Sequence, residues 1–530
     1  MKRFHLILLA VLSGVLLSLP WLEILPGWIL FVAFIPLLII EEYIFRKKNQ
    51  VANIVFFAYA FLSFLVWNAL TTWWTMHATL FGMFLIVILN ALLMATVWWL
   101  FHRVKRYSTS GFGNFSLVVF WLAFEYLHYH WDIEWPWLSL GNGFSNQVKM
   151  IQWYEYTGVL GGSFWVLIAN LLLFQFLINA FLKFRIKSGF YLALFILVIL
   201  VPSSLSFRQY NRYNETGEDY EIIILQPNVD PYTEKFKEMG EVRQMRSLLL
   251  LADSLITDST DYVVGPETVL HPLWETDRLI EDLQIVPFYS RAVACPKLNF
   301  VLGATTQLLF QPTDSLPETV RKFPDKELYF DVYNSALQIN NKQEVQIYHK
   351  SILVSGVEKM PFSKYFSFIE KYILDLGGTT GSLGTQAEPT NFTGTSGLKV
   401  APVICYESVF GEYVSKYVQK GAALIFIITN DGWWKDTPGY RQHLSFSRLR
   451  AIETRRSIAR SANTGISAFI NQRGDILQAT GWWSKTAIQG SLKANERITF
   501  YVRYGDFIGR VCLFVSVMLL LYFFIQKKIK

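Results

Sequence analysis

At 530 residues, 52% hydrophobic and 17% charged, the chain is too long for one compact soluble domain and too apolar for an ordinary soluble protein, so part of it is expected to lie in a bilayer. The formal net charge of +7 does not point to nucleic acid, because Lys and Arg cluster beside apolar runs, where they orient helices in a membrane. Cys295, Cys405 and Cys512 are odd in number, irregularly spaced and form no CxxC pair, so neither a disulfide framework nor a zinc site is suggested.

A membrane-crossing helix needs about 20 mostly apolar residues. Such runs are predicted near 5–22, 26–41, 52–70, 79–101, 114–129, 160–182, 189–207 and 507–526, which makes roughly eight spans by that length criterion. The first follows Lys2 and Arg3 as a secretory signal would, but no small-x-small cleavage site precedes Pro20, so an uncleaved helix is expected. Run 26–41 is short, and run 114–129 carries Glu125.

Loop charges test this assignment. Lys2-Arg3, Arg46-Lys47-Lys48, Arg103/Lys105/Arg106, Lys183/Arg185/Lys187 and Lys527-Lys528/Lys530 fall on one face, whereas the loops near 23–27, 71–78 and 130–159 are poor in Lys and Arg and rich in Trp. Arg503 and Arg510 depart mildly from the pattern. The basic face is the cytoplasmic one. Three segments follow: 1–207 with seven spans, a polar stretch 208–503 on the extracytoplasmic side, and 504–530 with the eighth span.

The polar stretch has an α/β pattern. "YEIIILQP" (220–227), "DYVVGPE" (261–267), "NFVLGATT" (299–306), "KVAPVICYE" (399–407) and "ALIFIITND" (423–431) read as strands, and their continuous apolar character suggests a sheet covered on both faces. Helices are predicted at 237–256, 281–293 and 440–461. The Gly-, Thr- and Ser-rich segment 371–396 reads as a loop.

Three residues stand at the ends of apolar runs. Glu267 follows Gly-Pro, Lys350 follows "VQIYH" in "YHKSILVSGVEK" (348–359), and Cys405 precedes Tyr406 and Glu407. They are too distant in sequence for one helix face, but an α/β sheet gathers groups at the carboxyl ends of its strands. Brought together, they form an acyl-transfer set. A thiol with a pKa of about 8.5 is a weak nucleophile until a base or cation favours the thiolate. Glu267 is the candidate base, its pKa raised toward the working range by burial. Lys350, kept charged by facing carboxylates, and the backbone N–H of Tyr406 are candidate donors to an oxyanion. Glu358 and Glu407 would hold the lysine and the cysteine loop.

Position alone also allows plainer roles: a core thiol for Cys405, a turn or capping carboxylate for Glu267, a solvated charge for Lys350. A Cys–His pair with His349 or His443 as base is the rival scheme. His349, next to Lys350 on a strand, should face the opposite way.

The segments "GPE", "YHK", "VICYE", "TNDGWW" (429–434) and "RAIETRRSIARSANTGISAFINQRGDI" (450–476) resemble the nitrilase superfamily with its Glu-Lys-Cys triad. Set between the last two spans of an eight-span unit, such a domain is similar to the apolipoprotein N-acyltransferase family over nearly the whole chain, and "EWPWLSLGN" (134–142) resembles that family's outer-face segment. The resemblance implies a polytopic helical membrane domain plus a nitrilase-like αββα sandwich. It gives triad roles to Glu267, Lys350 and Cys405, supporting roles to Glu358, Tyr406 and Glu407, and substrate contacts to Trp433 and to Phe236, where the family carries tryptophan. Val354-Ser355-Gly356-Val357-Glu358 replaces the family's Val-Pro-Phe-Gly-Glu and keeps the glutamate.

The implied reaction moves an acyl chain from a phospholipid to the α-amino group of a lipoprotein's S-diacylglyceryl-cysteine, through a Cys405 thioester, with Glu267 handling the proton in both steps. The implied partners are the phospholipid donor, the lipoprotein acceptor and membrane lipids, with no nucleic acid, metal or other cofactor. The implied site is the inner membrane, with the catalytic domain on its periplasmic side. A water-using amidase shares the triad but needs only one anchoring span. A transporter should bury charges within its spans, and Glu125 is the main candidate there.

Overall fold

The computed structural model describes residues 1–47, 50–230, 241–359 and 382–529; Phe236 and residues 371–381 of the predicted 371–396 loop lie outside them. The chain divides into two compact units: Met1–Met76, Leu80–Tyr213 and Tyr504–Lys530 form one, and His77–Thr79 with Asn214–Arg503 form the other.

In the first unit each of the eight predicted apolar runs falls on a helix. Gly27–Arg46, Asn53–His77, Gly82–Tyr107, Tyr154–Phe181 and Arg185–Arg212 are long and apolar enough to cross a bilayer, while Arg3–Ser18 and Phe507–Phe523 are apolar but shorter. The chain is a membrane protein. Gly27–Arg46 is broken at Phe34, two residues before Pro36, which has no N–H to donate. Asn170 repairs the break: its Oδ1 accepts from Phe34 N at 2.9 Å and its Nδ2 donates to Leu30 O at 2.7 Å. Backbone groups freed in a membrane helix need partners of this kind.

Glu125 is buried in the helix Ser110–His128. Its Oε1 accepts from Trp121 Nε1 and from Leu140 N, both at 2.8 Å, so the carboxylate ties the "EWPWLSLGN" segment to the helix. A second buried charge cluster was not evident in the sequence: His102 Nδ1 lies 2.8 Å from Glu41 Oε1, and Lys105 Nζ bonds Glu41 and, at 3.0 Å, Glu42 Oε2. The Lys105 ammonium thus sits between two carboxylates of another helix.

The second unit holds two mixed sheets. The larger runs β14(Thr486–Ala494)-β1(Glu218–Gln226)-β2(Tyr262–Val264)-β4(Asn299–Phe310)-β6(Tyr329–Ile339)-β5(Arg321–Lys322), with β3(Leu270–Trp274) on β4 and β7(Gln346–His349) on β6. The smaller runs β13(Ile476–Ala479)-β12(Ala468–Ile470)-β11(Ser457–Ala462)-β10(Leu424–Thr429)-β9(Lys399–Ile404)-β8(Phe392–Thr393). Strand periodicity of two explains why β1 is apolar throughout. Ile222 and Ile224 pack with β2, β9 and β10 residues in the core between the sheets, while Ile223 and Leu225 pack on the helices Glu241–Asp253 and Val286–Ala294. Val414, Tyr417, Leu444 and Ala451, on the helices Gly411–Gln419 and Pro438–Thr454, pack in one apolar cluster with β9, β10 and β11 residues of the smaller sheet. Helices thus cover both outer faces: the domain is the expected αββα sandwich.

One predicted element is corrected. The helix expected over 440–461 ends at Thr454, where Arg455 adopts a left-handed conformation (φ 53°, ψ 41°), and Ser457–Ala462 is strand β11. Pairing in parallel with β10 from Leu424↔Ser457 to Thr429↔Ala462 overrides the helix-favouring Arg and Ala of that segment.

Candidate active site

Glu267, Lys350 and Cys405 each lie just beyond a strand end, after β2, β7 and β9. Lys350 is buried, with Nζ 3.3 Å from Glu267 Oε1 and 2.8 Å from Glu358 Oε1. Burial alone would lower its pKa, but Glu358, Glu267 and Cys405 outweigh burial and hold the ammonium above its ordinary value. Burial pushes the Cys405 thiol well above the usual cysteine range; Glu267 adds to this and Lys350 opposes it. Cys405 thus feels both partners electrostatically, and burial makes its proton hard to lose. Such a thiol reacts when a base takes its proton during attack, which is general-base chemistry.

Supporting residues fix these groups. Glu407 accepts from Ile404 N at 2.9 Å with one oxygen and from Ser351 N at 2.7 Å and Tyr348 Oη at 2.6 Å with the other, stapling the Cys405 turn to the turn after Lys350. Its carboxyl is pushed up to about 7 by burial, against those hydrogen bonds. In the altered turn 354–358, Gly356 takes a left-handed φ of 80°, and Glu358 Oε2 accepts from Val354 N at 2.8 Å while Oε1 accepts from Lys350 Nζ. Cys405 (φ 47°) and Thr268 (φ 49°), neither a glycine, are held in the left-handed region that side chains rarely occupy.

A carbon-nitrogen hydrolase family model matches residues 238–499, and an apolipoprotein N-acyltransferase N-terminal domain model matches residues 13–172. The chain belongs to the apolipoprotein N-acyltransferase family. It is 29% identical to the apolipoprotein N-acyltransferase of Chlorobaculum tepidum, over 98% of this chain and 97% of that one. The protein of that name from Geobacter metallireducens is 28% identical, over 95% of this chain and 92% of that one. The one from Thermotoga maritima is 26% identical, over 96% and 92%.

In this apolipoprotein N-acyltransferase family member, three further residues stand at the site that the sequence did not single out. Asn334 on β6 donates through Nδ2 to Glu267 Oε1 at 2.7 Å and to Glu358 Oε1 at 3.0 Å. Gly303 on β4 lies against the Glu267 turn, where an added Cβ would stand 2.6 Å from Glu267 Cα. Thr429 Oγ1 lies 3.2 Å from Cys405 Sγ. A polar residue in an otherwise buried strand was the available clue for Asn334 and Thr429.

The two histidines have partners of their own. His349 faces Glu275, with Nε2 2.7 Å from Oε1, as its alternation with Lys350 predicts. His443 Nε2 lies 3.2 Å from the Cys405 carbonyl O and 3.0 Å from Ser408 Oγ, so it braces the Cys405 turn. Tyr406 is buried with its ring edge-on to Phe410 at 5.2 Å. Trp433 is partly exposed in the turn Asp431–Trp434. The arginines of "RAIETRRSIAR" are buried staples: Arg450 pairs with Glu453 at 2.7 and 2.9 Å and donates to Val409 O at 2.6 Å, pinning the far end of the Cys405 turn. A cleft lined by Pro227, Val229, Gln244, Leu248, Glu267–Val269 and Asn463 adjoins the Glu267 turn.

Proposed function

We propose that this chain carries out lipoprotein N-acylation in two half-reactions. Glu267 takes the Cys405 proton as sulfur attacks a phospholipid ester carbonyl. The tetrahedral oxyanion is held by Lys350 and the Tyr406 N–H, the lysophospholipid leaves with the proton, and a thioester remains. The α-amine of a diacylglyceryl-cysteine then attacks, Glu267 accepts its proton, and the thiol is restored as the amide forms. Trp433 and Phe236 contact substrate in this reading.

The observation that carries it is Lys350, buried between Glu267 and Glu358 and electrostatically coupled to Cys405. An ammonium so placed stays charged throughout turnover. Membrane helices on either side of the catalytic segment in the chain suit two lipid-anchored substrates. By loop charge, the catalytic domain faces the periplasm from the inner membrane.

Purified enzyme in vesicles, given acyl-labelled phospholipid and a diacylglyceryl-cysteine peptide, should produce a hydroxylamine-stable labelled amide. The same peptide with a blocked amine should yield none. Release of labelled fatty acid at equal rate with either peptide would replace this reading with water-using hydrolysis.

A further inference from the structure

We infer that Thr429 is a further catalytic group, whose hydroxyl serves the sulfur of Cys405 only while that sulfur carries negative charge. The inference deepens the proposed function and rests on Cys405 being its nucleophile.

Strand register places Thr429 there. It ends β10, whose Ile428 pairs with Ile404 at the end of β9, so the next residues on the two chain segments, Thr429 and Cys405, become neighbours. Thr429 is fully buried, and its Oγ1 stands 3.2 Å from Cys405 Sγ and 3.0 Å from Asp431 Oδ1. One hydroxyl proton faces two acceptors, so it bonds one of them at a time.

Asp431 is well supplied without it. Its Oδ2 accepts from Arg460 Nη2 at 2.7 Å, and His443 Nδ1 lies 3.0 Å from its Oδ1. The hydroxyl is therefore free to rotate to sulfur without leaving a buried carboxylate unpaired. A neutral thiol or a thioester is a weak acceptor, and against either one the carboxylate takes the proton. A thiolate is a strong acceptor and draws it back.

The bonds that change are the ones already named. The Cys405 S–H bond breaks, its proton passes to Glu267, and the sulfur electron pair forms the bond to the acyl carbon. The Thr429 proton stays on its own oxygen and only rotates. Thiolate character develops twice, on the attacking sulfur and on the sulfur expelled by the amine, so Thr429 lowers the barrier of both half-reactions. The carboxylate beneath it keeps the hydroxyl from stabilising the intermediate between them.

The full-length enzyme in detergent is alkylated with iodoacetamide between pH 7 and 9, and the Cys405 and Cys295 peptides are followed separately by mass spectrometry. Thr429→Val keeps the shape and removes the hydroxyl; its Cys405 rate should fall about tenfold, the size expected for one hydrogen bond to a charged group, while Cys295 is unchanged. Thr429→Ser should recover most of the rate, and Thr429→Ala should behave like Thr429→Val. Formation of the acyl adduct and its discharge by amine should slow together in Thr429→Val. A wild-type Cys405 rate in Thr429→Val, or a Thr429→Ser rate as low as that of Thr429→Val, overturns the inference. An acyl adduct persisting in Cys405→Ala instead removes the nucleophile itself.

Discussion

Asn334 Nδ2 and Glu267 Oε1 lie 2.7 Å apart in the buried centre of the site, and the same nitrogen reaches Glu358 Oε1 at 3.0 Å. Lys350 bridges the same two oxygens. An ammonium and an amide thus hold two carboxylates that would otherwise repel. Asn334→Leu removes the neutral member and keeps the size; its kcat should fall about ten- to a hundredfold, the loss expected for one or two hydrogen bonds to charged groups, with a circular dichroism spectrum like that of wild type. Unchanged kcat would show that Lys350 alone orders the carboxylates.

Gly303 makes room for the Glu267 turn. An added Cβ would stand 2.6 Å from Glu267 Cα, Pro266 O and Thr268 N, all backbone atoms that cannot turn aside. Gly303→Ala should therefore shift Glu267 and lower kcat by about a hundredfold or more, as misplacement of about 1 Å does. The check is single-turnover acylation of Cys405, and a loss under about threefold would contradict the packing reading.

Glu407 gives the domain a pH-dependent stability. Its carboxyl rises from 4.5 to about 7 in the folded state, so the folded chain binds the extra proton between those values. Stability from this group is present below pH 4.5 and is lost as pH rises toward 7. Glu407→Gln should flatten the fall in melting temperature over pH 5–7, and the same slope in the mutant would assign it elsewhere.

Asp431 has the opposite sign. Burial works against its charge, but Arg460 and then His443 hold it down to about 2, so its contribution is present above 3.8 and lost as pH falls toward 2. Arg460→Met strips that buried carboxylate of its main partner and should destabilise the domain by about 3–5 kcal/mol. It should also raise the pH of acid unfolding. Urea unfolding with a wild-type midpoint would contradict the pairing.

Strand ends were legible in the sequence because Glu267, Lys350 and Cys405 each follow an apolar run, and runs buried on both faces have no polar alternation to obscure them. The groups between the triad residues were not. Gly303, Asn334 and Thr429 become neighbours of the site only through register, as Gly303 faces Ala336 across β4 and β6 and Ile428 faces Ile404 across β9 and β10. The strand 457–462 was hidden for a related reason: its buried residues carry helix-forming side chains, and only pairing with β10 makes them a strand. In the helical unit, Glu41 and Lys105 are 64 residues apart, a pairing that hydropathy does not reveal.

The most direct measurement is intact-protein mass spectrometry of the enzyme taken from membranes without an acceptor lipoprotein. The proposed mechanism predicts a mass increase of one acyl chain that hydroxylamine removes, that Cys405→Ala lacks, and that forms far more slowly in Glu267→Gln. The same adduct on Cys405→Ala, or turnover with no hydroxylamine-sensitive adduct at any time, would contradict it.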